Sequence, residues 1–195
     1  MKLSKKLLLL VSLGMLFSMT ACSDNEEGVD ATSNPTSARG DTAEALIEAM
    51  TPEGAWVFGL TSDITVDGEL NIEGNVLKHS GGAWTDVYER KIGLYQRDAE
   101  RVPIGYFTLT VTEGINVNSP NTFFISDGPY VGQVNADIFV NTANFRLTGV
   151  QVNGNVVFAS EELMNSAIGQ SWNEDTETWE DVDFADLVVG EVRVD

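Results

Sequence analysis

The feature that most constrains this chain is an internal repeat. Ile115-Asn116-Val117-Asn118-Ser119-Pro120-Asn121 is matched by Ile138-Phe139-Val140-Asn141-Thr142-Ala143-Asn144, a shift of 23 residues from Ile115 to Ile138. Phe123 and Ile125 continue the match at Phe145 and Leu147. Val131-Gly132-Gln133-Val134 matches Val152-Asn153-Gly154-Asn155-Val156 with one inserted residue, a shift of 22 from Val134 to Val156. Each unit holds three short apolar runs alternating with polar residues, the period of a strand. Asn or Gly stands at the corners between them. A unit of this kind cannot bury its apolar face alone and stacks on its neighbour.

The expected fold class is therefore all-β, a short parallel β-helix (solenoid). In it Val117 lies beneath Val140 and Val134 beneath Val156. Asn121 and Asn144 fall at a corner, where asparagine tolerates left-handed backbone. An antiparallel β-sandwich with self-similar strands is the alternative.

The rest of the chain fits around this stack. Asp41 to Met50 predicts one short helix, with Asp41 as N-cap, Glu44 three residues on, and Leu46, Ile47 and Met50 on one face. Thr51-Pro52-Glu53-Gly54 ends it. So short a helix is not stable alone and is expected to cover one end of the strands after it. From Ala55 the period becomes two: Ile64, Val66, Leu70 and Ile72 flank an Asp67-Gly68 turn, then come Ile92 to Leu94 and Phe107 to Val111. Between Asn75 and Tyr106 the spacing is irregular. After Phe158, Ser160 to Ala167 predicts a turn of helix, Ser171 to Asp186 is acidic, and Leu187 to Val194 reads as a closing strand. The organisation is one β-rich domain over 41–195, with a capping helix at 41–50, the stack at about 55–158 and a C-terminal cap at about 159–195.

Upstream, Lys2, Lys5 and Lys6 precede a Leu7 to Phe17 apolar run and then Met19-Thr20-Ala21-Cys22. The run is shorter than the ~20 apolar residues that cross a bilayer. This is the layout of a signal peptide over 1–21, and it resembles that of bacterial lipoproteins, with Cys22 at the lipobox cysteine. The resemblance implies a lipid on Cys22 and a membrane as partner. Ser23-Asp24-Asn25-Glu26-Glu27 resembles the acidic tag that sends lipoproteins to the outer face of the outer membrane in one phylum of Gram-negative bacteria. That implies display on the cell surface. Residues 22–40, rich in Ser, Thr, Asn and Asp, read as a disordered tether.

Val152-Asn153-Gly154-Asn155-Val156-Val157-Phe158 resembles the repeats of bactofilin-type polymer-forming proteins, and Ile64 to Phe158 as a whole resembles right-handed parallel β-helices. The lipoprotein signal, the capping helix and the irregular stretch at 75–106 depart from the bactofilin pattern.

Charge narrows the function. Removal of residues 1–21 takes three lysines and no acid, leaving 8 Lys and Arg against 30 Asp and Glu, a formal charge of −22. Such a field repels nucleic acid, so no nucleic-acid partner is expected. The lone cysteine is lipidated, so no disulfide forms and stability comes from a core. His79, the only histidine, sits in a polar Lys78 to Gly82 stretch without the partners a triad or zinc site needs; no cofactor is expected. Paired carboxylates could hydrolyse glycosides, but no pair stands out. The basic residues Lys78, Arg90, Lys91, Arg97, Arg101, Arg146 and Arg193 are sparse for lyase chemistry. Asn173 to Glu177 with Glu180, Asp181, Asp183 and Asp186 offers oxygen ligands for calcium without the spacing of a calcium loop.

Trp84, Tyr88, Tyr130, Trp172 and Trp179 fall in stretches read as polar loops. There they suit stacking on sugars or capping contacts at the ends of the stack. The expected function is a non-catalytic, surface-anchored lipoprotein with a structural or adhesive role. The alternatives are a glycan-binding accessory module of a carbohydrate-uptake system and, last, a carbohydrate-active enzyme. The partner is a glycan or a surface protein.

Overall fold

The computed structural model describes residues 37–195. The signal peptide, Cys22 and most of the tether lie outside the described residues. Short β-branched and aromatic runs punctuated by Gly, Asn and Asp give short strands. β1 (Ser37–Gly40) precedes helix α1 (Ala43–Ala49). β2 (Val57–Leu60), β3 (Ile64–Val66) and β4 (Leu70–Ile72) come next. A hairpin of β5 (Leu77–Ser80) and β6 (Ala83–Tyr88) leads into β7 (Arg90–Gly93). A second hairpin, β8 (Tyr95–Arg97) and β9 (Pro103–Tyr106), leads into β10 (Thr108–Val111). The chain continues through β11 (Ile115–Val117), β12 (Thr122–Ile125), β13 (Gly132–Asn135), β14 (Ile138–Val140), β15 (Arg146–Thr148), β16 (Val150–Val152) and β17 (Val156–Phe158). It closes with α2 (Glu161–Asn165), a hairpin of β18 (Ile168–Asn173) and β19 (Thr178–Val182), a 3-10 turn (Phe184–Leu187) and β20 (Val192–Val194).

Three sheets hold the described chain: a seven-stranded sheet ordered β1-β2-β7-β12-β15-β18-β19, a four-stranded sheet β16-β13-β10-β3, and a five-stranded sheet β20-β17-β14-β11-β4. From β10 to β18 successive strands enter the four-, five- and seven-stranded sheets in rotation. The protein is all-β with parallel sheets, as expected, and the antiparallel sandwich does not describe it. Among the described residues, β18 with β19 is the one antiparallel pairing in these three sheets. Two inserted antiparallel hairpins, β5–β6 and β8–β9, account for the irregular spacing between Asn75 and Tyr106.

Register matches the repeat in part. Val117 pairs with Val140, as expected. Val134, however, pairs with Val152, and Val156 pairs with Ile138, not with Val134. Phe123 and Phe124 pair with Arg146 and Leu147, one residue off the expected match. That pairing keeps the 23-residue step of Val117 and Val140, and the change at Val134 comes from a short corner. β12 and β13 are joined by a loop, whereas β15 and β16 are joined by Gly149 alone, in left-handed backbone at φ 61°. The step between stacked asparagines accordingly falls from 23 residues (Asn118 to Asn141) to 18 (Asn135 to Asn153).

Inward-facing Phe58, Ile92, Phe124 and Leu147 from the long sheet meet Leu109, Val134 and Val152 from the second and Val117, Val140 and Phe158 from the third; all are fully buried. At one end α1 packs against β1 and β3. Its N-cap is Thr42, not Asp41: the Thr42 hydroxyl accepts from the Ala45 N–H at 3.3 Å. Leu46 and Met50 are buried, but Ile47 is 44% exposed, because so short a helix turns only one narrow stripe inward. β1 forms within the stretch read as tether. Ser37-Ala38-Arg39-Gly40 has no apolar alternation, and its strand is set by the edge of β2 to which it pairs. At the other end Phe184 closes a chain of edge-to-face rings, 6.0 Å from Phe145 and 5.8 Å from Phe158.

Arg90 is fully buried where β6 enters β7. Its Nη1 donates to the carbonyls of Ala49 and Ala55, the latter at 2.9 Å. Its Nη2 donates to those of Thr51 and Glu73, the latter at 2.8 Å. Those four carbonyls tie the end of α1, the turn after it and the exit of β4 to one side chain.

Candidate functional site

The strand-to-corner pattern places polar side chains in rows on the outside of the sheets. On the four-stranded sheet Thr65, Thr110 and Asn135 share a register row, and Asn153 continues it. Asn135 Nδ2 donates to Thr110 Oγ1 at 3.2 Å, and Asn153 Nδ2 donates to Asn135 Oδ1 and Gln133 Oε1, both at 2.8 Å. On the five-stranded sheet the matching row is Asn71, Asn116, Phe139, Val157 and Arg193. Asn116 Nδ2 donates to Asn71 Oδ1 at 2.9 Å. The corner between these sheets stacks tightly: Asp137 Oδ1 accepts from the Asn155 N–H at 2.7 Å, and Thr112 Oγ1 from the Gly68 N–H at 2.8 Å.

Along this corner runs an open groove of about 460 Å³, lined by Thr110, Thr112, Glu113, Asn135, Asp137, Phe139 and Asn153 among others. Phe139, 38% exposed, is its one aromatic. An apolar ring face bordered by hydroxyl, amide and carboxylate groups matches a sugar, whose C–H face stacks and whose hydroxyls hydrogen-bond. Phe139 sits in an Ile-Phe-Val run that reads as core. The signal that finds it is Asn116, the polar residue at the matched repeat position, which marks that position as outward.

The five aromatics singled out from the sequence lie in three places. Trp84 and Tyr88 are on β6, not in a loop, and are 38% and 43% exposed. Tyr130 is in the β12–β13 connection, as expected. Trp172 and Trp179 face each other across the β18–β19 hairpin, edge to face at 5.3 Å. Trp179 also lies against Gly149, where a Cβ would come within 2.6 Å of the indole. Capping contact therefore describes this pair better than an open sugar platform. His79 is on strand β5, edge-on to Trp84 at 5.1 Å, not in a loop.

The acidic stretch is the β18–β19 hairpin itself. Asn173 Oδ1 accepts from the Asp175 N–H at 2.9 Å, and Asp181 accepts from Gln170 Nε2 at 2.9 Å. Among the described residues no group of three His, Cys, Asp or Glu side chains is placed to hold a metal ion.

The charged pairs are local. Glu89 accepts from Trp56 Nε1 at 3.2 Å and pairs with Lys78 at 3.1 Å. Arg97 pairs with Asp127, and that hydrogen bond raises the Arg97 pKa above its ordinary value. Lys91 lies between these pairs. Burial holds its pKa below the ordinary lysine value, with Glu89 pulling the other way.

These observations define an all-β chain of parallel sheets with a polar, aromatic-centred groove at one corner. Comparison with family models, curated proteins and solved structures finds no match to this chain.

Proposed function

We propose that this protein is a non-catalytic, surface-anchored lipoprotein whose folded part is a short parallel β-helix, a structural or adhesive element held at the outer membrane by Cys22. The observation that carries the reading is the rotation of strands among three parallel sheets, which buries one apolar column and leaves every outward row to ligands or partners. Two outcomes test it. A fatty-acid analogue should label wild-type cells and not cells carrying Cys22→Ser; equal labelling sinks the lipid anchor. Cells displaying the protein should adhere to host or bacterial surfaces more than cells carrying a Val140→Asp form; equal adhesion removes the adhesive role.

A glycan-binding accessory module is the second reading, favoured by the groove around Phe139. On a glycan array, wild-type protein should bind neutral oligosaccharides and Phe139→Ala should lose about two- to ten-fold in affinity, one aromatic stacking contact being worth ~0.5–1.5 kcal/mol. An array blank for wild type would leave the adhesive reading alone.

A further inference from the structure

A second feature lies on the outer face of the seven-stranded sheet, away from the Phe139 groove. Lys91 of β7, Phe123 of β12 and Arg146 of β15 stand in one register row. Their neighbours Ile92, Phe124 and Leu147 are fully buried in the core, so this row faces outward. Lys91 Nζ is 5.2 Å from the Phe123 ring centroid and Arg146 Cζ is 5.7 Å from it. Two cations thus flank one ring.

Among the described residues neither cation is in an ion pair. The two acids that act on Lys91, Glu89 and Asp127, are already engaged by Lys78 and Arg97. Arg146 Nε is buried without a hydrogen-bond partner. Lys78, Lys91, Arg97 and Arg146 are four of the eight Lys and Arg residues of the described chain. Lys78 and Arg97 both lie close enough to Lys91 to repel its charge. A chain this acidic therefore gathers half of its cations around one place. Two residues beyond Arg146 on β15, the largely buried Thr148 donates its hydroxyl to Gln170 Oε1 of the neighbouring β18 at 3.2 Å, and this pair borders the cations.

We propose that this face binds a carboxylate-bearing sugar, a uronic-acid residue, with its carboxylate between Lys91 and Arg146 and its hydroxyls toward Thr148 and Gln170. Two unpaired, partly desolvated cations are a standing cost that a single anionic group offsets through charge-assisted hydrogen bonds. The molecule as a whole, at −22 after signal removal, repels a long polyanion, but beyond about 10 Å salt screens that field. One carboxylate on an otherwise neutral oligosaccharide suits both conditions. The site is independent of the Phe139 groove and of the lipid anchor.

The test is calorimetry on the full-length protein in detergent, with a hexuronic-acid oligomer, its methyl ester and sodium sulfate as probes. Binding of the acid should weaken about ten-fold on esterification and about ten-fold in Lys91→Met and in Arg146→Gln, each the loss of one charge-assisted contact. Arg193→Gln, on the five-stranded sheet, should bind as wild type, and Phe139→Ala should leave uronate binding unchanged. An ester that binds as well as the acid overturns the proposal. So does wild-type affinity in either Lys91→Met or Arg146→Gln with unchanged thermal unfolding, or no binding of the acid at all. Sulfate competing as well as the sugar acid would reduce the face to a general anion site and overturn the sugar assignment.

Discussion

Arg90 shows how much one side chain can hold. It is a buried cation whose two terminal nitrogens donate to four backbone carbonyls from three separate segments, while its Nε finds no partner. Burial pushes its pKa down to about 10, so it stays charged at neutral pH; with the folded value below the unfolded one, its burial cost is constant below pH 10 and stability is flat in pH from this group. Arg90→Met removes the donors and strands carbonyls in the interior. The expected loss is about 3–5 kcal/mol, read from the shift of the urea midpoint. Arg90→Lys should lose less but not recover, because an ammonium cannot reach all four acceptors from one point. A midpoint unmoved in Arg90→Met would show that the carbonyls find water instead. Asn121 and Asn144 hold the corners in a similar way. Both take positive φ, 52° and 59°, and Asn144 Nδ2 donates to Asn121 Oδ1 at 2.9 Å.

Elements can be read from such residues only where local rules suffice. The pairing of Val117 with Val140 and the asparagine corners were legible because alternation and left-handed tolerance are local properties. The β5–β6 and β8–β9 insertions hid the pairing of β3 with β10, whose strands lie 45 residues apart at Thr110 and Thr65. Matching apolar residues by identity also slid past the one-residue corner at Gly149. The site was less legible still. Phe139, Lys91 and Arg146 become neighbours of their partners only through register, which one strand does not state. Two changes test the stack. Val140 is fully buried between Val117 and Phe158, so Val140→Asp should cost several kcal/mol and abolish cooperative melting. Gly154 lies against the corner below: a Cβ there would stand 2.0 Å from the Ala136 carbonyl oxygen. Gly154→Ala should therefore push the corners apart and cost about 1–3 kcal/mol in urea unfolding. Wild-type stability in either variant would refute the placement of that turn.

At the scale of the molecule the question is what stops a stack of parallel strands from growing. Unpaired strand edges recruit further chains unless they are covered, short or charged. At this chain's C-terminal end each sheet is closed differently. β20 pairs with β17, and Val188 bridges to Val152 beside it. The long sheet instead ends on β19, which runs antiparallel and carries Glu180 and Asp181. The acidic stretch thus has a structural use: its charges blunt the edge left open at this end of the long sheet. Deleting residues 183–195 would remove the backbone bonds that cover β16 and β17, among them Val189 N–H to Val152 O at 2.9 Å and Val156 N–H to Glu191 O at 2.8 Å. The exposed edge would include Val156 and Phe158, both fully buried in the intact chain. The truncated protein should keep its β-sheet circular dichroism and elute as dimers or longer assemblies, with light scattering giving the mass. Charged substitutions on the uncovered strand, Val157→Lys above all, should restore the monomer. A truncated chain that stays monomeric with its sheet content intact would show that the C-terminal elements stabilise the stack without guarding it.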